Sequence, residues 1–506
     1  MSLLGVDVGT TGVKAVAFAA DGRQLALAYE EYPLLHPFVG AAELDPTRVA
    51  AAALRVIAEA AHGAGSDLPA AIGVASQGEA FAPIGADGEF LTNIMTSSDS
   101  RAVAIIPEIE ATFGRRPLFE RTGHTSHPMH SLFKFVWLRR NRPEVSAAAR
   151  MHLFAQDIVV SALTGASVTD HSMAARSMLY DVQRLRWDPD LLALAGLRPD
   201  HLPGVVQAGT AVGTVRPHVA RATGLSASTV VTPAGHDQPV GALGCGAAAT
   251  GAAGYSIGTV ECITPTVDRF AADQRLIDAN LAIYPHVLPG RYTTVAYNIT
   301  GGSALRWLRD QLLPDLAAEA VRDGVDPYDR LVAAAGDSIS PLLLMPHFGP
   351  TGTPHYDPHG IGALIGLDQT STRADIIGAF LEGITYEMRW NLEALRQAGF
   401  ELNELRAIGG GSRSAPWMQT KADILGVPLT TMQVSEATCM GAALLAGSAL
   451  GALDPDDAAG RWATRRHTYE PRADRAAAHA DRFGIYQDLY RTLGVVRQRM
   501  HALKGT

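Results

Sequence analysis

The sequence predicts an α/β protein of two or more domains. Three observations lead there. The chain has 506 residues, which exceeds the size at which one hydrophobic core usually stops growing. Short β-branched runs ending in glycine turns alternate with longer stretches of helical apolar spacing. A second glycine-rich tract of small residues begins near residue 235, after a strong strand signal. Hydrophobic residues make up 47% and charged residues 18%, a balance that excludes a disordered or fibrous chain.

The first 20 residues read strand, tight turn, strand. LLGVDVG ends at Gly9, Thr10 to Gly12 turn, and VKAVAFA follows. A hairpin here differs from the strand-turn-helix start of a dinucleotide fold. Asp-Gly pairs at 21–22 and 87–88 mark further turns. Val49, Leu54, Ile57 and Ala61 predict a helix over 50–61, and AAIGVASQG a buried strand running into a polar loop. Residues 131–164 read as mostly helical, with a junction at Pro143. Residues 196–214 read as irregular chain with short strands. STVVTPAG at 228–235 is the next strong strand, and the main boundary is set there, giving domains 1–233 and 234–506.

The second half repeats the style of the first. Asp237 follows a β-branched run, and GAAGYSIGTVECITPTV predicts a hairpin turning around Ser256 to Gly258. A diverged duplication fits, and so do two unrelated buried strands that each meet glycine turns. Thr372 to Gln397 is the clearest long helix, with Ile376, Ile377, Phe380, Leu381, Ile384, Met388, Leu392 and Leu395 on one stripe. NELRAIGGGSRSAPWMQTKADILG reads strand, glycine turn, helix. A helix of small residues starts near Glu436, and the tail is helical over 476–496.

Composition bounds the partners. Lys plus Arg is 42 and Asp plus Glu 51, a net charge of -9, which argues against a nonspecific nucleic-acid surface. Three cysteines without a CxxC pair read as reduced thiols. The first residues carry no basic leader, and no apolar run of 18 reads as a membrane span, so a cytoplasmic location and no membrane partner are expected.

Two tracts carry chemistry. DVGTTGVK supplies an acid, small residues, hydroxyls and a lysine. Its glycines would let backbone N–H groups approach a phosphate, and Asp7 could hold Mg2+ through oxygen. It lacks the Walker A order. The triplet Gly409 to Gly411 follows an apolar strand and precedes a helix, where bare backbone could meet a ribose or phosphate. Taken singly, each also fits an ordinary glycine turn.

Together these tracts resemble the FGGY carbohydrate kinases of the actin-like ATPase superfamily. DVGTTGVK, AGHDQPVGALG, GYSIGTVE, FLEGITYEMRWNLE, GGGSRSAPWMQTKADILGVPL and EATCMGAALLAG occur in the family's order over nearly the whole chain. The resemblance implies two ribonuclease H-like domains flanking an interdomain cleft. It implies sugar mainly on the N-terminal domain, ATP mainly on the C-terminal one, and transfer of the γ-phosphoryl group to a hydroxyl. Asp237 would be the general base, and Asp7, with Asp237, the Mg2+ ligand. Gly9, Thr10, Thr11 and Lys14 would face the transferred phosphate. Gly258 and Thr259 would form the second phosphate wall, and Gly410, Gly411 and Ser412 the adenosine side. Trp417 is expected to pack the helix rather than stack adenine.

The sugar side departs from the family pattern. Gln77, Glu79, Asp99, Arg101 and His236 are the candidate hydroxyl ligands. Gln77-Gly78-Glu79-Ala80 stands where many xylulose kinases carry Gln-Met-His-Gly, and Ser97 stands at an aromatic place, with Phe81 as a candidate replacement wall. Asp99 and Arg101 also fit a structural ion pair. His124, His127 and His130 read as loop or helix surface residues rather than zinc ligands. The expected activity is phosphorylation of a ketose, xylulose-like or a related hexulose. A polyol kinase, an actin-like ATPase or phosphatase, and a noncatalytic sugar sensor are the alternatives. The expected partner is a small sugar or polyol; a homodimer is left open.

Overall fold

The computed structural model describes residues 1–504. Two mixed sheets, each flanked by helices, make up two α/β halves. In the first, β1 (Ser2–Val8), β2 (Gly12–Phe18) and β3 (Gln24–Glu31) form an antiparallel meander. Helix α1 (Pro46–Gly63) follows, capped by the Asp45 side chain with Pro46 in its first turn. It buries Val49, Ala52, Ala53, Val56 and Ile57. Strand β4 (Pro69–Ser76) then runs parallel to β1. After α2 (Ser131–Asn141) and α3 (His171–Arg176), strand β5 (Val230–His236) lies parallel to β4 and leads directly into α4 (Asp237–Gly244). The expected boundary after residue 233 thus falls inside β5, whose last residues still belong to the first sheet.

The second sheet repeats this wiring. β6 (Gly251–Ile257) and β7 (Glu261–Val267) form a hairpin. After α5 (Arg373–Gln397), β8 (Leu402–Ile408) runs parallel to β6. Helix α6 (Ala415–Leu425) leads to β9 (Leu429–Met432), parallel to β8. Helix α7 (Ala437–Ala449) comes next, then β10 (Arg465–Tyr469), antiparallel to β9, and α8 (Ala473–Thr492). Helix α5 starts with a reciprocal capping box between Thr372 and Asp375. Its expected apolar stripe is buried except for Ile376, which is only partly covered, and Gly383 lets the helix approach the Leu344 carbonyl.

Two details of the sequence reading are refined by the fold. Residues 131–164 are mostly helical as expected, but Met151–Phe154 forms a short strand against Phe81–Ile84. Its residues are also compatible with helix; pairing with a partner nearly 70 residues earlier decides the outcome. Strand β10 is largely exposed and rich in charge, so it carries no apolar signal.

The halves meet where α4 and α7 cross. Both are built from small residues, and carbonyls fill the space that side chains would take. A Cβ on Gly441 would overlap the Val240 carbonyl, and one on Gly244 the Ala437 carbonyl. Helix α7 also lies on the first sheet, with Gly5 against the Cys439 carbonyl and Gly73 against that of Ala442. Among the described residues, no helix is long and apolar enough to cross a membrane. The crossing predicts that Gly441→Ala destabilises the protein by at least about 2–3 kcal/mol, since backbone has to move. Urea denaturation of the two proteins measures this; equal midpoints would disprove the close contact.

Candidate active site

The parallel register of β1, β4 and β5 brings the candidate residues together. Asp7 sits beside Ala75, and His236 beside Ser76, so Asp7, Gln77 and Asp237 all emerge at the same carboxyl ends. In open α/β sheets this edge is where ligands bind.

Asp237 opens α4 directly after β5. Burial, then the charges of Asp7 and Glu79, push its carboxyl well above the usual range; Arg176 opposes them. The helix N-terminus also favours the anion, but burial wins. Asp7 is held at about 6, chiefly by burial; Lys14 pulls it down and Glu436 pushes it up. Its Oδ1 is buried without a hydrogen-bond partner. Across β1 and β2, Lys14 lies opposite Asp7, and its Nζ is 2.8 Å from Glu436, in the turn before α7. That ion pair spans the two halves.

His236 is kept neutral by burial and by Arg176. Its Nδ1 lies 2.9 Å from the Tyr284 hydroxyl and its Nε2 3.3 Å from Asp237 Oδ1. With Tyr284 donating to Nδ1, the ring proton sits on Nε2, facing Asp237. Gln77 is tied to the first glycine turn, since Thr10 Oγ1 donates to its Oε1 and its Nε2 donates to the Gly9 carbonyl. Glu79 is 2% exposed, holds a left-handed φ of 61°, and ion-pairs with Arg176 of α3. Its carbonyl accepts from Ser131 Oγ and Lys134 Nζ. Burial pulls Lys134 down to about 8, and its Nζ also donates to the Thr96 carbonyl at 2.7 Å.

Asp99 and Arg101 have partners of their own. Arg101 pairs with Asp99 and with Glu43 at 2.5 Å, and its guanidinium lies 4.9 Å from both the Phe38 and Trp137 ring centres. Phe81 is not a pocket wall; it is fully buried and stacks on Phe135 at 3.9 Å. His124 and His130 are not surface residues. They are 1% and 2% exposed and pack against each other at 4.8 Å.

On the other side, Gly258 and Thr259 form the β6–β7 turn. The Gly302 N–H donates to the Gly258 carbonyl, and that of Gly301 to the Thr259 carbonyl. Gly409 (φ 88°) and Gly411 pack against Ile257, and Ser412 Oγ donates back to the Gly409 carbonyl. The register of Ser256 beside Ile408 therefore sets the two glycine turns side by side. Trp417 is buried and donates to the Leu381 carbonyl. Beneath both turns lies an ion pair the sequence did not announce. Lys421 Nζ is 2.8 Å from Glu261 Oε2, both side chains are fully buried, and Tyr255 donates to Glu261.

The residues present fit Mg2+. Among the described residues no cluster of three or more His, Cys, Asp or Glu could hold a metal by itself. Mg2+ needs only one or two carboxylates besides phosphates and water, and Asp7 offers an unpartnered buried oxygen.

The two α/β halves thus set carboxylates at one sheet edge and paired glycine turns at the other. The model of the FGGY carbohydrate kinase N-terminal domain matches residues 2–244, and that of the C-terminal domain residues 253–450. The chain belongs to the FGGY family of carbohydrate kinases. It is 27% identical to a gluconokinase of Bacillus licheniformis over 97% of this chain and 96% of the relative. It is 26% identical to a xylulose kinase of Bacillus subtilis (strain 168) over 96% of each. Its structure is similar to that of a ligand-bound xylulose kinase from Lactobacillus acidophilus, with a TM-score of 0.91, 25% identity and 99% of both chains covered.

Two expected outcomes follow. The folded Asp7 binds a proton up to about pH 6 against an ordinary 3.8, so its ionisation weakens the fold as pH rises through that window. Asp7→Asn is expected to gain ~1–3 kcal/mol at pH 8, and nothing below pH 4. Thermal melts at the two pH values check this; equal stability at pH 8 would count against it. Lys421→Met strands Glu261 and is expected to cost about 3–5 kcal/mol, which Glu261→Gln in the same chain largely restores. Denaturant titration of the single and double variants reads both.

Proposed function

We propose that this protein is a cytoplasmic ATP-dependent kinase that phosphorylates a ketose, a xylulose-like pentulose or related hexulose. The observation that carries the reading is the part-buried Asp237 carboxyl at the start of α4, 23% exposed, with Asp7 and Glu79 close enough to raise its proton affinity. A base poised above the ordinary carboxylate range suits proton removal from an alcohol during phosphoryl transfer.

In this reading the acceptor hydroxyl donates to Asp237. As the hydroxyl oxygen forms its bond to the γ-phosphorus, the bond to the β-bridging oxygen breaks, ADP leaves, and Asp237 takes the proton. His236 orients the carboxylate through its Nε2 proton. Asp7 would hold Mg2+, with Asp237 near enough to share it; bound Mg2+ neutralises charge on the β- and γ-phosphates. Lys14, Thr10, Thr11 and Gly9 bound the phosphate on one side, and Gly258 and Thr259 on the other. Gly410, Gly411 and Ser412 carry the adenosine. Glu79 accepts from the sugar hydroxyls, whereas Gln77 holds the phosphate turn. Asp99 and Arg101 serve the pocket only through the shape their ion pair maintains.

Relatives named gluconokinase and xylulose kinase both align over nearly the whole chain, so sugar acids belong in the acceptor screen beside ketoses and polyols. Asp237→Asn is expected to lower kcat by about 10²–10⁴ while nucleotide affinity stays near wild type. In the wild type, kcat/KM for the acceptor is expected to rise with pH along a limb centred well above the ordinary carboxylate value. An ADP-release assay with product analysis reads both. Phosphate release without a sugar phosphate would point to the ATPase alternative, and near-normal turnover of the variant would remove Asp237 from the role of base.

A further inference from the structure

On the acceptor side, the first half carries small residues at Ser97 and Gly78. Ser97 carries no ring, and it follows Thr96, whose carbonyl Lys134 bridges to that of Glu79. Gly78 is tightly flanked, since a Cβ there would meet the His236 ring at 3.1 Å and Arg176 Nε at 3.2 Å. Several polar atoms of Arg176 and the 124–126 segment are buried without hydrogen-bond partners, namely Arg176 Nε, His124 Nε2 and Ser126 Oγ. Arg176 is 8% exposed and His124 1%. Orphaned donors and acceptors at this density mark a place where a ligand completes the bonding.

The second half reaches the same segment of the first. Tyr356 lies in the loop before α5, and its ring is 4.7 Å from that of His127, which belongs to the same segment as His124 and Ser126. Tyr297, opposite Cys262 on β7, stands 6.1 Å from Tyr356. The hydroxyls of both tyrosines lie within electrostatic reach of Arg176. Tyr356 has a φ of 49°, a left-handed conformation that a bulky aromatic residue rarely adopts. Glu79, on the opposite half, is held at a φ of 61°. Such backbone persists where the surroundings demand a particular side-chain direction, and it concentrates at binding sites.

We propose that Tyr356 is a specificity-determining residue of the acceptor pocket. Its ring supplies, from the second half, the flat wall that Ser97 does not supply from the first. A polyhydroxylated acceptor would rest a C–H face on that ring while its hydroxyls meet Glu79 and Arg176. This inference rests on the kinase reading above.

The test uses the full chain with Tyr356→Asn, whose side chain tolerates a left-handed backbone, and Tyr356→Phe. An ATP-coupled screen over ketoses, sugar alcohols and aldonates identifies the preferred acceptor of the wild type. Tyr356→Asn is expected to raise the KM for that acceptor at least tenfold and to change the acceptor ranking. Its KM for ATP should stay within twofold, and its melting temperature close to the wild type. Tyr356→Phe is expected to keep the ranking, because the ring remains. An Asn variant with unchanged acceptor KM and ranking overturns the proposal, as does a parallel rise in both KM values. If Tyr356→Asn does not fold, Tyr356→Leu at the same readouts decides. A wild type that transfers phosphate to no acceptor overturns the kinase reading itself, an outcome distinct from either.

Discussion

The structure depends on two helices that touch through their backbones. Helices α4 and α7 cross with glycine on carbonyl, and α7 lies on the first sheet in the same manner through Gly5 and Gly73. Side chains at these points would hold the halves apart. Close approach is what lets α4 begin at the carboxyl end of β5 while packing toward the second sheet, so that Asp237 faces the cleft. It also carries Glu436, just ahead of α7, to Lys14 on β2. Lys14 and Glu436, one from each half, are therefore neighbours because small residues occupy one crossing.

Around that crossing the protein buries charge on a large scale. Asp7, Glu79, Arg176, Lys134 and Asp237 occupy the first half's edge, and Lys421 with Glu261 underlies the turns of the second. Removing such groups from water is costly. At the first half's edge burial leaves Asp7 and Asp237 with raised proton affinity, which suits acid–base chemistry. Beneath the glycine turns of the second half each charge has its counter-charge, and burial still draws Lys421 below the ordinary lysine range. The first arrangement is poised to react with something; the second fixes a distance, joining the β6–β7 turn to the helix that follows the glycine triplet.

Much of this was legible in the sequence, because it rests on local patterns. The opening hairpin, the strand before Asp237, the β6–β7 hairpin, the stripe of α5 and the Gly409 turn all follow from periodicity and glycine placement. Their convergence on one cleft was carried by the resemblance of the ordered motifs. What sequence reading missed is long-range pairing. Arg176, Lys134 and Tyr284 lie in unremarkable stretches, and only the fold brings them to Glu79 and His236. Gln77 had the right chemistry for a sugar ligand, yet its amide is engaged by a turn almost 70 residues earlier. Asp99 and Arg101 stand two residues apart and pair with each other, while Glu43, 58 residues before Arg101, and the Ala42 N–H complete their partners. The histidines at 124 and 130 lack an apolar pattern, so nothing local announced their burial.

The crossing also lies close to Asp237. Gly441 meets Val240, three residues into α4 from Asp237, a rise of ~4.5 Å along the helix axis. Arc length grows with radius, so a swivel of one half about this contact would displace Asp237 less than residues farther from it. The residue that the kinase reading makes the base therefore lies where such a turn disturbs geometry least.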